Sequence, residues 1–174
     1  MSLDRISEPL PQSISLNVSS SCNLGCAYCY AGRGGFAGVQ PRPMAWDVAR
    51  AAIDRLLAVA EPGAPVTIGF LGGEPFANRK LIHEAVAYAT ASGGRLGLDV
   101  RFSVTTNGTL LRAPDLPLLR RHPFAVTVSL DGSAEVQDAQ RPRHRGGGAG
   151  RAWLIEWRRC WRSQEKRSSP RARQ

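Results

Sequence analysis

Residues 19–30 read Ser-Ser-Ser-Cys-Asn-Leu-Gly-Cys-Ala-Tyr-Cys-Tyr and place three thiols, Cys22, Cys26 and Cys29, within one short loop. The residues just before it, Ser13-Ile-Ser-Leu-Asn-Val-Ser, alternate polar and apolar at Ile14, Leu16 and Val18. That period of two predicts a strand running straight into the thiol loop. Three thiolates on one loop can hold three corners of a soft-metal centre. A structural zinc site or a four-cysteine cluster needs a fourth ligand. The remaining cysteine, Cys160, lies far downstream in a stretch of different composition. Three ligands with no obvious fourth point to a [4Fe–4S] cluster with one iron open to a small molecule. Zinc sites and redox cysteines are the alternatives that the spacing alone leaves open.

Beyond the loop, Gly32, Gly34, Gly35 and Gly38 with Pro41 and Pro43 predict an irregular connection. From Trp46 to Ala60 the period changes, with Ala49, Ala52, Ile53, Leu56 and Ala60 on one face of an amphipathic helix that Glu61-Pro62-Gly63 stops. Val66-Thr-Ile-Gly-Phe-Leu is nearly apolar throughout, as a strand buried on both faces is. After Gly72-Gly73-Glu74-Pro75, Asn78 can cap a second helix with Leu81, Ile82, Ala85, Val86 and Ala89 inward, ending at Gly93-Gly94. Residues 98–104 form a third strand closing on Thr106-Asn107-Gly108, residues 114–122 a poorly patterned third helix, and residues 124–130 a fourth strand closing on Asp131-Gly132. Alternation of this kind calls for a parallel sheet. The carboxyl ends of its strands share one edge, so the four loops converge on one site.

Together these motifs resemble the radical S-adenosylmethionine superfamily, closest to the SPASM-type peptide- and protein-modifying enzymes related to anaerobic sulfatase maturases. The resemblance covers residues 12–141. It implies an α/β fold: a partial (βα) barrel of about four parallel strands with helices outside. It implies that Cys22, Cys26 and Cys29 bind a [4Fe–4S] cluster, and that Tyr28 lies near the adenine of S-adenosylmethionine. Gly72, Gly73, Glu74 and Pro75 match the edge that accepts the methionine amino group. Thr106 and Asn107 match the strand end beside the ribose, and Ser129 and Arg141 match positions that hold the methionine carboxylate. A guanidinium suits a carboxylate through its two-pronged donor geometry. The implied activity is that of an oxidoreductase-type enzyme. It cleaves S-adenosylmethionine reductively to a 5′-deoxyadenosyl radical for peptide or protein maturation, with a flavodoxin or ferredoxin as reductant. No residue is assigned as catalytic on the substrate side. The reading from another class is a non-catalytic iron–sulfur or zinc module with a basic arm.

The net charge of +9 does not spread over the chain. Residues 1–140 carry 12 Lys/Arg and 12 Asp/Glu, whereas residues 141–174 carry 11 Lys/Arg against Glu156 and Glu165. Nucleic acid is therefore not the expected partner of the core. No apolar run reaches membrane-spanning length, the N-terminus lacks a signal-like apolar region, and clustered unpaired thiols suit a reducing compartment, so a cytoplasmic protein is expected. Three units follow: an extended leader (1–12), the core (13–141), and a basic, low-order tail (142–174). The tail turns abruptly to Arg, Gly, Trp, Ser and Pro, with Trp153, Trp157 and Trp161 at helical spacing. GC-rich DNA read in a shifted frame tends to yield such a composition. The tail is thus read as a frameshifted end that truncates the family pattern and impairs activity, with a native basic arm as the alternative. His83 is expected to be solvated, and His122, His144 and Cys160 receive no role.

Overall fold

A computed structural model describes residues 11–32, 40, 42–144 and 146. The first ten residues, much of the glycine-rich connection, Cys160, the three tail tryptophans and the end of the chain lie outside the described residues.

Strands β1 (Ser13–Ser19), β2 (Pro65–Gly72), β3 (Asp99–Thr106) and β4 (Phe124–Val128) form one parallel sheet in the order of the chain. Helices α1 (Trp46–Val59), α2 (Arg79–Arg95), α3 (Asp115–Arg121) and α4 (Ala134–Gln140) follow the strands in turn. One face of the sheet buries Leu16, Val18, Val66, Ile68, Phe70, Phe102 and Val104 against Ala49, Ile53 and Leu56 of α1 and Leu81, Ile82, Ala85, Val86 and Ala89 of α2. Phe70, Phe102 and Phe124 stack across neighbouring strands with ring centroids 5.2–6.3 Å apart. The alternation of each strand thus delivers one apolar face. On the opposite face of β2, Thr67 is half-buried, Gly69 buried and Leu71 exposed, so the strand expected to be buried on both faces is covered fully on one. Among the described residues, β4 forms the sheet edge beyond β3, with Ala125, Val126 and Thr127 exposed.

Three local expectations are corrected. Helix α2 does not end at Gly93-Gly94 but runs through them to Arg95, and the chain turns at Gly97, whose φ is 68°. Gly93 has a packing role: a Cβ there would lie 2.2 Å from Cγ2 of Val100. Asn78 does stand at the start of α2, yet its side chain caps nothing; its amide donates to the carbonyls of Val18 and Met44 (2.9 and 3.1 Å), tying α2 to the end of β1. His83 is part-exposed, with Nε2 3.3 Å from Oδ1 of the buried Asp115. Asp115 also accepts from Arg79 Nε at 2.7 Å and from the Arg112 amide at 2.8 Å, which anchors the loop after β3 to α2. A 3₁₀ turn (Pro75–Asn78) and helix α4 add two elements to those expected.

Candidate metal and cofactor site

All four strands point their carboxyl ends at one edge, where a cavity of about 380 Å³ opens. Cys22, Cys26, Cys29, Tyr28, Gly72, Gly73, Asn107, Ser129 and Arg141 line it, joined by Leu24, Tyr30, Ala31, Leu71 and Thr105. Residues up to 119 apart in sequence therefore meet in one place because the sheet is parallel.

The thiol loop has its own local structure. Ser19 Oγ accepts the Ser21 amide at 3.2 Å, turning the chain out of β1. The Cys29 amide donates to the Cys26 carbonyl (3.2 Å) and the Gly32 amide to the Cys29 carbonyl (3.0 Å), which closes two successive turns. Leu24 is fully buried beneath Cys22, Cys26 and Cys29. The segment after α4 straps the loop from outside: Gly25 donates to the Pro142 carbonyl at 2.8 Å, Ala27 to that of Gln140 at 3.2 Å, and Leu24 bridges Arg143.

The three cysteines are free thiols. Burial pushes the Cys22 and Cys26 thiols up, and the neighbouring thiols push the same way, while the Arg141 charge pulls Cys26 back down. Among the described residues, no set of three His, Cys, Asp or Glu side chains is arranged to hold a single metal ion. Cys22, Cys26 and Cys29 share one wall of the cavity and offer three soft thiolate donors, the donor set an iron–sulfur cluster with one open iron needs.

Gly72 and Gly73 stand where they do because backbone meets backbone. Gly72 has φ 140°, and a Cβ there would lie 2.3 Å from the Ser19 carbonyl oxygen. A Cβ on Gly73 would lie 2.4 Å from the Ser21 carbonyl oxygen and 2.9 Å from the Cys22 nitrogen. That closeness lets the Gly73 and Glu74 amides donate to Ser19 and Ser21 at 2.7 and 2.9 Å. Gly73→Ala is expected to destabilise the fold by about 1–3 kcal/mol, because immobile backbone atoms leave no room for the methyl group. The urea midpoint and the iron content after reconstitution should both fall; if neither changes, the two loops are not locked together here.

Three expected site residues lie off the cavity. Glu74 is fully buried, as are Pro75 and Thr106. Its carboxylate accepts from the Phe76 amide (3.1 Å), Thr106 Oγ1 (2.7 Å) and the Asn107 amide (2.8 Å). It is an internal tie between the ends of β2 and β3, and Thr105, one residue earlier, faces the cavity instead of Thr106. Asn107 lines the cavity with its amide fully engaged. Oδ1 accepts from the Thr109 amide (2.9 Å) and hydroxyl (2.7 Å), and because a backbone N–H can only donate, the orientation is set. Nδ2 then donates to Asn23 Oδ1 at 3.1 Å and toward Cys22 Sγ at 3.6 Å. Asn107 thus supports the thiol loop directly.

Two residues without an expected role complete the site. Asp131 accepts the Tyr28 hydroxyl at 2.5 Å and pairs with Arg141 through Nε (2.9 Å) and Nη2 (3.0 Å). The Arg141 hydrogen bonds hold its carboxyl below the usual range. Gln137, fully buried, accepts the Asp131 amide on its side chain at 2.8 Å. The Asp-Gly pair at the end of β4 marked a turn but not this carboxylate's partners. Gln137 carried no signal in the sequence.

Residues 16–155 match the family described as the Radical SAM superfamily. An uncharacterized protein of Methanocaldococcus jannaschii is 31% identical over 75% of this chain and 42% of its own length. The serine-type anaerobic sulfatase-maturating enzyme of Klebsiella aerogenes is 30% identical over 79% of this chain and 34% of its own length. The solved structure of native anSMEcpe with bound AdoMet and Kp18Cys peptide superposes with a TM-score of 0.71 at 25% identity, over 84% of this chain and 39% of that one. The four-stranded parallel sheet matches the partial barrel of that neighbour. The chain spans between a third and a little over two fifths of the length of these relatives. Among the described residues, no helix is long and apolar enough to cross a membrane.

Proposed function

The chain belongs to the radical SAM superfamily, a family of enzymes whose cofactors are a [4Fe–4S] cluster and S-adenosylmethionine, and from that premise we propose that this core holds both and cleaves the latter reductively, toward modification of a peptide or protein. The observation that carries the proposal is the convergence of Cys22, Cys26 and Cys29 with Gly72, Gly73, Ser129 and Arg141 on one cavity. Cys22, Cys26 and Cys29 would hold three irons. Bound there, the cluster would supply the electron for reductive cleavage of a carbon–sulfur bond of S-adenosylmethionine into methionine and a 5′-deoxyadenosyl radical. Ser129 and Arg141 would take the carboxylate of the methionine moiety, and the exposed Tyr28 ring stands where an adenine could lie. Leu24, Leu71 and Ala31 supply apolar walls to the cavity.

A peptide as substrate is supported by the sulfatase-maturating relative and by the peptide-bound neighbour. A flavodoxin or ferredoxin as reductant, and a cytoplasmic location, belong to the same proposal. Reductive cleavage of S-adenosylmethionine to 5′-deoxyadenosine is therefore expected. Anaerobic purification, reconstitution and dithionite reduction test this, with assays for 5′-deoxyadenosine and for modified peptide. 5′-Deoxyadenosine formation that requires the reconstituted cluster is expected. One zinc per chain, or a cluster spectrum indifferent to S-adenosylmethionine, would overturn the cofactor reading.

A further inference from the structure

Asp131 is not among the residues that touch the cavity, yet it controls two that do. Its carboxylate receives the Tyr28 hydroxyl from the thiol loop and the Nε and Nη2 donors of Arg141 from the end of α4. The guanidinium carbon of Arg141 sits 5.4 Å from the Tyr28 ring centroid, so the cation lies against the aromatic face. We infer that Asp131 is a positioning residue that holds the Arg141 guanidinium with its outer donors toward the cavity, ready for the carboxylate of the ligand. This inference rests on the cofactor reading above.

The donor count supports it. A guanidinium has five N–H groups arranged as a fork. Asp131 takes the Nε–H and one Nη2–H, the side-on pair. The two Nη1 donors and the second Nη2 donor stay available for a second carboxylate, because among the described residues no hydrogen bond engages Nη1. Asp131 and a ligand carboxylate therefore use different edges of the same group and do not compete. The frame is rigid at both ends. Gln137 accepts the Asp131 amide on its side chain at 2.8 Å and the Arg141 amide on its carbonyl at 2.8 Å. Ser133 caps α4 between them, accepting the Val136 amide at 3.4 Å. Fixing a long side chain before the ligand arrives removes ordering entropy that binding would otherwise have to overcome.

The test compares affinity for S-adenosylmethionine with affinity for decarboxylated S-adenosylmethionine in the cluster-loaded protein, by equilibrium dialysis. Asp131→Asn is expected to weaken S-adenosylmethionine about tenfold, the scale of one hydrogen bond to a charged group. It should leave the decarboxylated ligand unchanged, which general loosening of the loop would not do. Arg141→Gln should weaken S-adenosylmethionine similarly or more, and the double variant should be no weaker than Arg141→Gln alone. If Asp131→Asn fails to fold, Asp131→Ser gives the same comparison. Equal loss for both ligands, or no loss for either, overturns the inference while leaving the cofactor reading in place. No S-adenosylmethionine binding by the unsubstituted protein overturns that reading and the inference with it.

Discussion

Cys26→Ala is expected to leave the protein without a cluster. Cys26 is the middle thiol, buried and packed with Cys22 and Cys29 over Leu24. After anaerobic reconstitution the unsubstituted protein should carry about four irons and an equal amount of sulfide per chain, as a [4Fe–4S] centre requires. The variant should carry almost none, because two remaining thiolates would leave two of the four irons without protein ligands. Cys160→Ala should load normally. The effect ought to be on assembly rather than folding, since replacing a buried thiol by a methyl group removes little apolar surface. The far-ultraviolet spectrum should therefore be unchanged. A fully loaded cluster in Cys26→Ala would mean that the three cysteines do not act as one ligand set.

How much of this was legible before the structure follows from which signals are local. The strands announced themselves by apolar alternation, and α1 and α2 by a one-sided apolar stripe, because each buries that face in one core. Helix α4 escaped notice for the converse reason. Its apolar Val136 is exposed, and its buried residue is a glutamine. Its place is fixed by the Ser133 cap and by tertiary hydrogen bonds, neither of which has a period. Gly93-Gly94 was misread because glycine in a helix usually means an end, whereas here Gly93 clears space for Val100. The site shows the same division. Family resemblance supplied positions, but side-chain direction depends on strand parity. Phe102 and Val104 face the core, so Thr106 must do so too, and Thr105 must face the cavity. That parity was readable in the alternation of β3. The partners of Asp131 were not, because they meet only when the loops after β1, β4 and α4 come together.

The remaining expected result concerns Glu74, whose place in Gly-Gly-Glu-Pro suggested contact with the ligand and whose surroundings make it a tie. Its side chain has no exposed surface, and both oxygens are occupied by three donors. Burial pushes its carboxyl above the usual range, while the hydrogen bonds from Thr106, Asn107 and Phe76 and the nearby Arg79 charge pull it back. Glu74→Gln replaces one acceptor oxygen with an amide that must face an N–H or O–H donor. It leaves at least one buried donor unpaired and should destabilise by about 1–3 kcal/mol. Glu74→Ala strips all three donors and opens a void, and should destabilise by about 3–5 kcal/mol, on the scale of breaking a buried charged network. The measurement is the urea midpoint in the cluster-free protein, where no ligand can contribute, with an unchanged slope showing that only stability moved. The loss should propagate to the site, since the Asn107 amide held by Glu74 belongs to the residue that supports Cys22 and Asn23. Iron loading of Glu74→Gln should fall below that of the unsubstituted protein even where the fold survives. A variant that keeps its urea midpoint but loses only S-adenosylmethionine affinity would return Glu74 to the role of a ligand contact.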